Sequence, residues 1–193
     1  MSAWTGARDR HRDIDGSVSP VTTLRPFWHE DLALIAEWAG AFYLEDYVSR
    51  TRPRGARAVR HDPSAGLYWF IIVSSGADVG TVWLEPGEGP EESVLGVYLK
   101  HSSLFAQGIG SEAIRLALDE CRRRRSTRVV TLHVRRDNAR AIACYEKLGF
   151  AITSYGAKVL TSGASLPFFE MRRDLRPEPP SSAHHPCSPA ADD

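Results

Sequence analysis

Residues Phe105 to Ala113 read FAQGIGSEA, two glycines flanking one isoleucine at the mouth of a helical pattern. Upstream, VLGVYLK (94–100) has the β-branched and apolar content of a strand. Downstream, IGSEAIRLALDECRRR (109–124) repeats Ala113, Ile114, Ala117, Leu118 and Cys121 along one helical side. RVVTLHV (128–134) then reads as a buried strand. A strand, a helix and a second strand in that order predict a parallel pair. The glycines let the connecting loop turn tightly and let a ligand approach the backbone. The N–H groups of Gln107, Gly108, Ile109, Gly110 and Ser111 would face an anion, helped by the positive end of the helix dipole. No Lys-Ser/Thr pair follows Gly110, which excludes a nucleotide-hydrolysing P-loop. Taken alone, the stretch equally suits a plain glycine-rich turn.

Working outward, VTTLR (21–25) predicts a first strand, and Leu32, Ile35, Ala36 and Ala39 give 29–42 a helical spacing. Arg50 to Gly66 holds Pro53, Gly55, Pro63 and Gly66 among five arginines and reads as a loop or broken helix. LYWFIIV (67–73) and VGTVWLE (79–85) are strands joined by a hairpin signal, SSGAD. After the central unit, Asn138 opens a helix that runs to Leu148 and stops at Gly149. Phe150–Tyr155 and Pro167–Asp174 predict a final strand pair. The fold class is therefore α/β, a mixed and mostly antiparallel sheet with one parallel pair and helices on both faces. The folded domain is expected over 21–175, between a polar tail at 1–20 and a Pro/Ser/Ala-rich tail at 176–193, both disordered.

The 193 residues carry 24 Lys+Arg and 24 Asp+Glu, so no global charge argues for nucleic acid or an anionic membrane. No apolar run approaches a membrane span, and the first residues lack a signal-peptide apolar core. Cys121, Cys144 and Cys187 have no CxxC spacing, which argues against a disulfide framework and a zinc site. Cys121 and Cys144 are expected as reduced core residues, no metal is expected, and the cytoplasm is the expected location. His184 and His185 read as a solvated tail pair.

A second motif, NARAIACYEKLGF, spans Asn138 to Phe150. Tyr145 lies two helical turns beyond Asn138, so Asn138, Ile142 and Tyr145 share one face that suits a long, thin ligand. An ordinary amphipathic helix with its tyrosine in the core fits the same spacing.

Together, the QGIGSEA loop and helix and the later N-x-x-A-x-x-x-Y-E-K-L-G-F helix resemble the GNAT superfamily of acetyl-CoA-dependent N-acetyltransferases, over about 94–150. The resemblance implies that the loop holds the pyrophosphate of coenzyme A and that the pantetheine arm lies between splayed strands at 94–100 and 128–134. It implies that backbone N–H groups in 97–100, with Tyr98, Leu99 and Lys100 as candidates, polarise the thioester carbonyl. It further implies a cofactor contact at Asn138 and a place for Tyr145 beside the sulfur, donating a proton to the leaving thiolate, while Arg135, Arg136 and Arg140, which flank Asn138, are candidates to meet the 3′-phosphate of coenzyme A. The family loop usually opens with Arg or Gln. Phe105 stands there instead, as an aromatic often does in branches resembling ribosomal-protein acetyltransferases, and is expected to pack beneath the loop.

The general base is not marked by the resemblance. Some members carry a Glu at the start of the motif strand, where this chain has Val94. Glu92, Glu85 and a water relay are the alternatives, and His133 reads as structural. Arg122 to Arg125 read as a solvated helix end. The 50–60 arginines suit an acceptor with an acidic group and argue against a polycationic aminoglycoside. The expected activity is acetyl transfer from acetyl-CoA to a primary amine of a small molecule, by direct attack in a ternary complex. Acetylation of a protein N-terminus or lysine, and a non-catalytic acyl-CoA-binding module, are the rivals. The resemblance also raises a homodimer through the final strands.

Overall fold

The computed structural model describes residues 21–39, 50–54, 60–124, 127–159 and 163–175. The expectations for both tails, residues 40–42, Arg57, Arg125, Cys187 and the His184–His185 pair lie outside the described residues.

Seven strands form one sheet in the order β1-β2-β3-β4-β5-β7-β6. They are β1 (Thr22–Pro26), β2 (Tyr68–Ser74), β3 (Ala77–Pro86), β4 (Glu92–Leu99), β5 (Val129–Arg135), β6 (Ala151–Val159) and β7 (Ser165–Asp174). Every neighbouring pair is antiparallel except β4 and β5. The chain-order expectation holds with small shifts at strand ends. The last two strands pair as expected, but β7 is inserted between β5 and β6, which leaves β6 at the sheet edge. That edge exposes Tyr155 and Val159.

Among the described residues, three helices cover the sheet: α1 (Asp31–Ala39), α2 (Ile109–Arg124) and α3 (Ala139–Lys147). Side chains alternate along β2, so its unbroken apolar run feeds two cores. Tyr68, Phe70 and Ile72 join Ala113, Ile114, Ala117, Leu118 and Cys121 of α2 on one face. Trp69 and Ile71 join Phe27, Ile35, Trp38, Trp83 and Tyr98 on the other, under α1. Ala141, Ile142, Tyr145 and Leu148 of α3 pack against the α2-side core. Cys121 is fully buried there, and burial pushes its thiol up to about 12. Cys144 is only half-buried, a correction to its expected place in the core.

Helix α1 is tied to the sheet by charge as well as by apolar contact. Arg25 donates to both Asp31 oxygens at 2.8 and 2.9 Å and to Asp78 at 2.7 Å. The Trp28 amide also donates to Asp31. Burial alone would raise the Asp31 carboxyl, yet the bonds from Arg25 and Trp28 outweigh it and hold the group below its ordinary value. Arg25→Met is expected to destabilise the fold by about 1–2 kcal/mol at pH 7, after discounting for its partly exposed position. Because Asp31 is depressed in the folded state, its contribution is complete above the unfolded carboxylate value of about 3.9 and is lost as pH falls through the folded value. Urea unfolding of both proteins at pH 7 and pH 3 should show the deficit shrinking in acid.

Candidate active site

Strands β4 and β5 stay together for three residue pairs only, Glu92–Val129, Ser93–Val130 and Val94–Thr131. Beyond them β4 keeps its register with β3 as far as Leu99. Meanwhile β5 keeps its register with β7 as far as Arg135. Each strand is held by its outer neighbour, so a gap opens between them after Val94. Hydrogen bonding shows which backbone groups line it. The Val129 amide donates to the Glu91 carbonyl, and the Lys100 amide donates to the Val79 carbonyl. Residues alternate along a regular strand, so odd-numbered residues of β4 direct their peptide groups toward β5 and even-numbered ones toward β3. Val97 therefore points its N–H into the gap. This corrects two of the three sequence candidates: the amides of Tyr98 and Lys100 face β3. The Tyr98 hydroxyl donates to the Trp38 carbonyl at 2.9 Å, and the Lys100 ammonium lies 5.9 Å from the Trp38 ring centre. Leu99 has the parity of Val97, and its side chain lies in the α2-side core.

The glycine loop sits at the open end of the gap. A short 3-10 turn, Ser102–Leu104, leads into it, and Ala106 and Gly108 take left-handed φ of 60° and 78°. The Gly108 carbonyl accepts the first helical bond, from Glu112 at 2.9 Å. The amides of Ile109, Gly110 and Ser111 precede that bond, so helix geometry offers them no partner within α2. A Cβ on Gly108 would meet nothing within 4 Å, and one on Gly110 would meet only the Leu99 side chain at 3.9 Å. The loop thus presents bare amides and open space to one side, which fits a pyrophosphate. Gln107 turns its side chain back to donate to the Ser103 carbonyl at 2.6 Å, which leaves its amide as the contact it can offer. The Ser111 hydroxyl meets the Cys144 thiol at 3.1 Å and ties α2 to α3.

Phe105 packs against the α2-side core, as expected. The Arg140 guanidinium lies over its ring at 3.6 Å from the centre, a cation–π contact that holds a positive charge beside the loop. The three grouped arginines separate: Arg135 pairs with Asp137, and Arg136 lies over Phe169.

Asn138 caps α3, accepting from the Ala141 amide at 3.2 Å, so its side-chain oxygen is committed to the helix. Tyr145 is half-buried, edge-on to Phe150 at 6.1 Å. Burial raises its phenol above the ordinary value, the neighbouring Cys144 acts in the same sense, and Arg140 opposes both. The hydroxyl therefore keeps its proton at neutral pH.

The two carboxylate candidates part company. Glu92 lies where β4 and β5 are still paired, and its carboxylate accepts from the Gly89 amide at 3.3 Å within the β3–β4 turn. The structure does not bring it to the gap. A shallow pocket at that same end, lined by Gly89, Glu91, Glu92, Arg128 and Arg172, sits apart from the glycine loop. Glu85 faces the α1 side opposite Val94, buried, accepting from Arg50 at 2.6 Å and from the Arg54 amide. One of the five loop arginines is thus neutralised by Glu85. His133 is exposed on β5 against Phe168 and near Glu170, which is a structural setting. Arg122, Arg123 and Arg124 pair with Asp119 and Glu120 on the solvated end of α2.

Trp83 escaped sequence reasoning. It lies opposite Gly96 in the β3–β4 register, and a Cβ on Gly96 would fall 2.1 Å from its indole ring. A glycine inside a strand was the available signal of a close approach.

A sequence model described as the acetyltransferase (GNAT) family matches residues 32–150. No curated protein sequence matches the chain at a significant level. Among solved structures, the GNAT-family acetyltransferase from Streptococcus pneumoniae superposes with a TM-score of 0.67 at 16% identity, over 81% of this chain and all (100%) of that one. The yncA protein from Salmonella typhimurium with acetyl-CoA gives 0.63 at 20% identity, over 89% and 99% of the two chains. An aminoglycoside acetyltransferase in complex with coenzyme A gives 0.60 at 22% identity, over 80% and 95%.

Gly110→Val keeps an allowed helical backbone and fills the open side of the loop. It should weaken coenzyme A binding at least tenfold in titration calorimetry while the circular dichroism spectrum is unchanged. Unchanged affinity would remove the loop from the cofactor site.

Proposed function

This chain belongs to the GNAT acetyltransferase family, and from that premise we propose that it transfers an acetyl group from acetyl-CoA to a primary amine of a small molecule, by direct attack within a ternary complex. The observation that supports this best is the gap after Val94, with the bare first turn of α2 at its open end. Acetyl-CoA supplies an acetyl thioester already activated for attack by an amine. The amides of Ile109, Gly110 and Ser111, with Arg140 stacked on Phe105, hold its pyrophosphate. Val97 donates its N–H toward the carbonyl oxygen, where negative charge develops. Tyr145 donates its hydroxyl proton in a hydrogen bond to the departing sulfur. Full transfer from a phenol raised by burial to a thiolate of ordinary value near 8.5 is uphill, so the bond stabilises the thiolate rather than quenching it.

Direct attack is favoured over an acyl-enzyme because neither described cysteine suits a nucleophile. Cys121 is buried with its thiol pushed up to about 12, and the Cys144 thiol meets Ser111. The attacking amine must shed a proton. Glu85, buried on the α1 face of β3 opposite Val94, serves as the base through a water relay. Arg52 and Arg54 expose their side chains on the segment whose Arg54 amide bonds Glu85, which supports an acceptor with an acidic group rather than a polycationic aminoglycoside. We place the protein in the cytoplasm on its scattered free cysteines. Among the described residues, no helix is long and apolar enough to cross a membrane.

Incubation with acetyl-CoA and a panel of primary amines, read by thiol release, tests the assignment: amine-dependent release is expected, and release with no amine in the panel would count against it. Tyr145→Phe keeps the ring and removes the hydroxyl. Its single-turnover rate should fall by roughly 10–10³-fold, the scale of one lost donor to developing charge, with acetyl-CoA affinity little changed. An undiminished rate would leave Tyr145 as a wall of the groove.

A further inference from the structure

The α1 face of the sheet carries several buried aromatic residues with polar tips, and two of them show how such tips are treated. The Trp69 indole donates to the Thr81 hydroxyl at 2.8 Å, and that hydroxyl donates on to the Phe70 carbonyl. The Tyr98 hydroxyl donates to the Trp38 carbonyl. Trp83 breaks the pattern. It is 2% exposed, and its Nε1 is the buried side-chain nitrogen or oxygen without a hydrogen-bond partner among the described residues. Leaving a buried donor unpaired is costly, and such groups in folded proteins are few.

The position of this donor is built. Trp83 lies opposite Gly96, and the indole edge bearing Nε1 packs so closely over β4 that a Cβ on Gly96 would sit 2.1 Å from Cζ2 and 2.3 Å from Cε2. Gly96 is the second residue after Val94, the last residue of β4 to pair with β5. The indole edge that bears Nε1 therefore lies over β4 two residues beyond its last pairing with β5, level with the beginning of the gap and on the face where Glu85 and Arg50 also lie. The Arg50 guanidinium, paired with Glu85, stands 5.8 Å from the centre of the same indole and leaves Nε1 without an acceptor.

We propose that Trp83 Nε1 is a specificity donor for the acceptor, taking a carbonyl or carboxylate oxygen that lies two bonds from the carbon bearing the reactive amine. This rests on the transferase reading above, in which Val97 marks the reacting carbonyl. Gly96 and Val97 are adjacent, with Cα atoms about 3.8 Å apart, so an oxygen at the indole and a nitrogen at the thioester must be close within one molecule. The chemistry that meets this is an α-amino carbonyl: an amino acid, an amino-acid amide or a peptide N-terminus. A simple alkylamine would leave the donor unpaired, and discrimination of that kind is strong because a buried polar group is left without its partner.

The test follows the indole proton directly. The chain has five tryptophans, so the indole region of a ¹⁵N–¹H spectrum is sparse. The Trp83 signal is the one lost in Trp83→Phe, or the one with contacts to Gly96 protons should that variant fail to fold. Glycinamide, alaninamide and phenylalaninamide are each paired with the amine that lacks the carboxamide: methylamine, ethylamine and 2-phenylethylamine. With coenzyme A present, at least one amide should move the Trp83 signal downfield and its partner amine should not. In wild-type protein that amide should exceed its partner at least tenfold in kcat/KM, compared as free amine, and Trp83→Phe should lose most of this preference. Free amino acids and short peptides, run as further arms, separate a small carboxylate from a peptide carbonyl as the source of the oxygen. The proposal is overturned if acetyl-CoA alone moves the signal as far, which would assign the donor to the thioester. It is also overturned if no amide moves the signal, if amide and amine move it equally, or if Trp83→Phe keeps the preference. Thiol release with no amine, alongside an amide-specific shift, would overturn the transferase reading and leave the donor site standing.

Discussion

The brief contact between β4 and β5 is the constraint on which the rest of the site depends. Each strand has a stronger commitment on its outer side, β4 to β3 and β5 to β7, and the parallel pairing lasts three residue pairs. A longer pairing would close the sheet and bury the Val97 peptide in a ladder. The short pairing leaves main-chain hydrogen-bonding groups facing an opening, which a folded protein tolerates where a ligand or solvent completes them.

The two motif helices gain their meaning from that opening. Helix α2 crosses from the end of β4 to the start of β5, so its first turn is delivered to the open end. Helix α3 follows β5 and lays Ile142 and Tyr145 against the same core. The Ser111–Cys144 contact joins the two helices, and Arg140 on Phe105 joins α3 to the loop. An aromatic residue at the head of the loop is thus compatible with a cation beside it, supplied from another element. The opposite face is organised by α1 and the aromatic layer of Trp69, Trp83 and Tyr98, with Arg25 and Asp31 fixing the helix in place.

The order of strands and helices, the limits of α2, the Asn138 cap and the turn at Gly149 were all legible in the sequence. Each rests on local chemistry: apolar spacing, a side-chain cap, or a glycine where φ is positive. The two motifs together also sufficed for the family, because each residue type meets a backbone requirement that few other sequences meet in that order.

Register, partners and edges were decided by the tertiary structure. Whether Val97 or Tyr98 turns its amide to the gap depends on which of two neighbouring strands each peptide faces, and a one-residue change reverses the answer. Glu92 and Glu85 look alike as carboxylates near a strand end. Only the folded chain gives one to a turn amide and the other to Arg50 and Arg54. The insertion of β7 between β5 and β6 was invisible for the same reason, since hairpin strands read identically whichever of them meets the older sheet. The unpaired indole of Trp83 is a property of what surrounds it in space. Periodicity and motif record what a residue is beside in the chain, and hydrogen-bond partners more than fifty residues apart are chosen only when the sheet assembles.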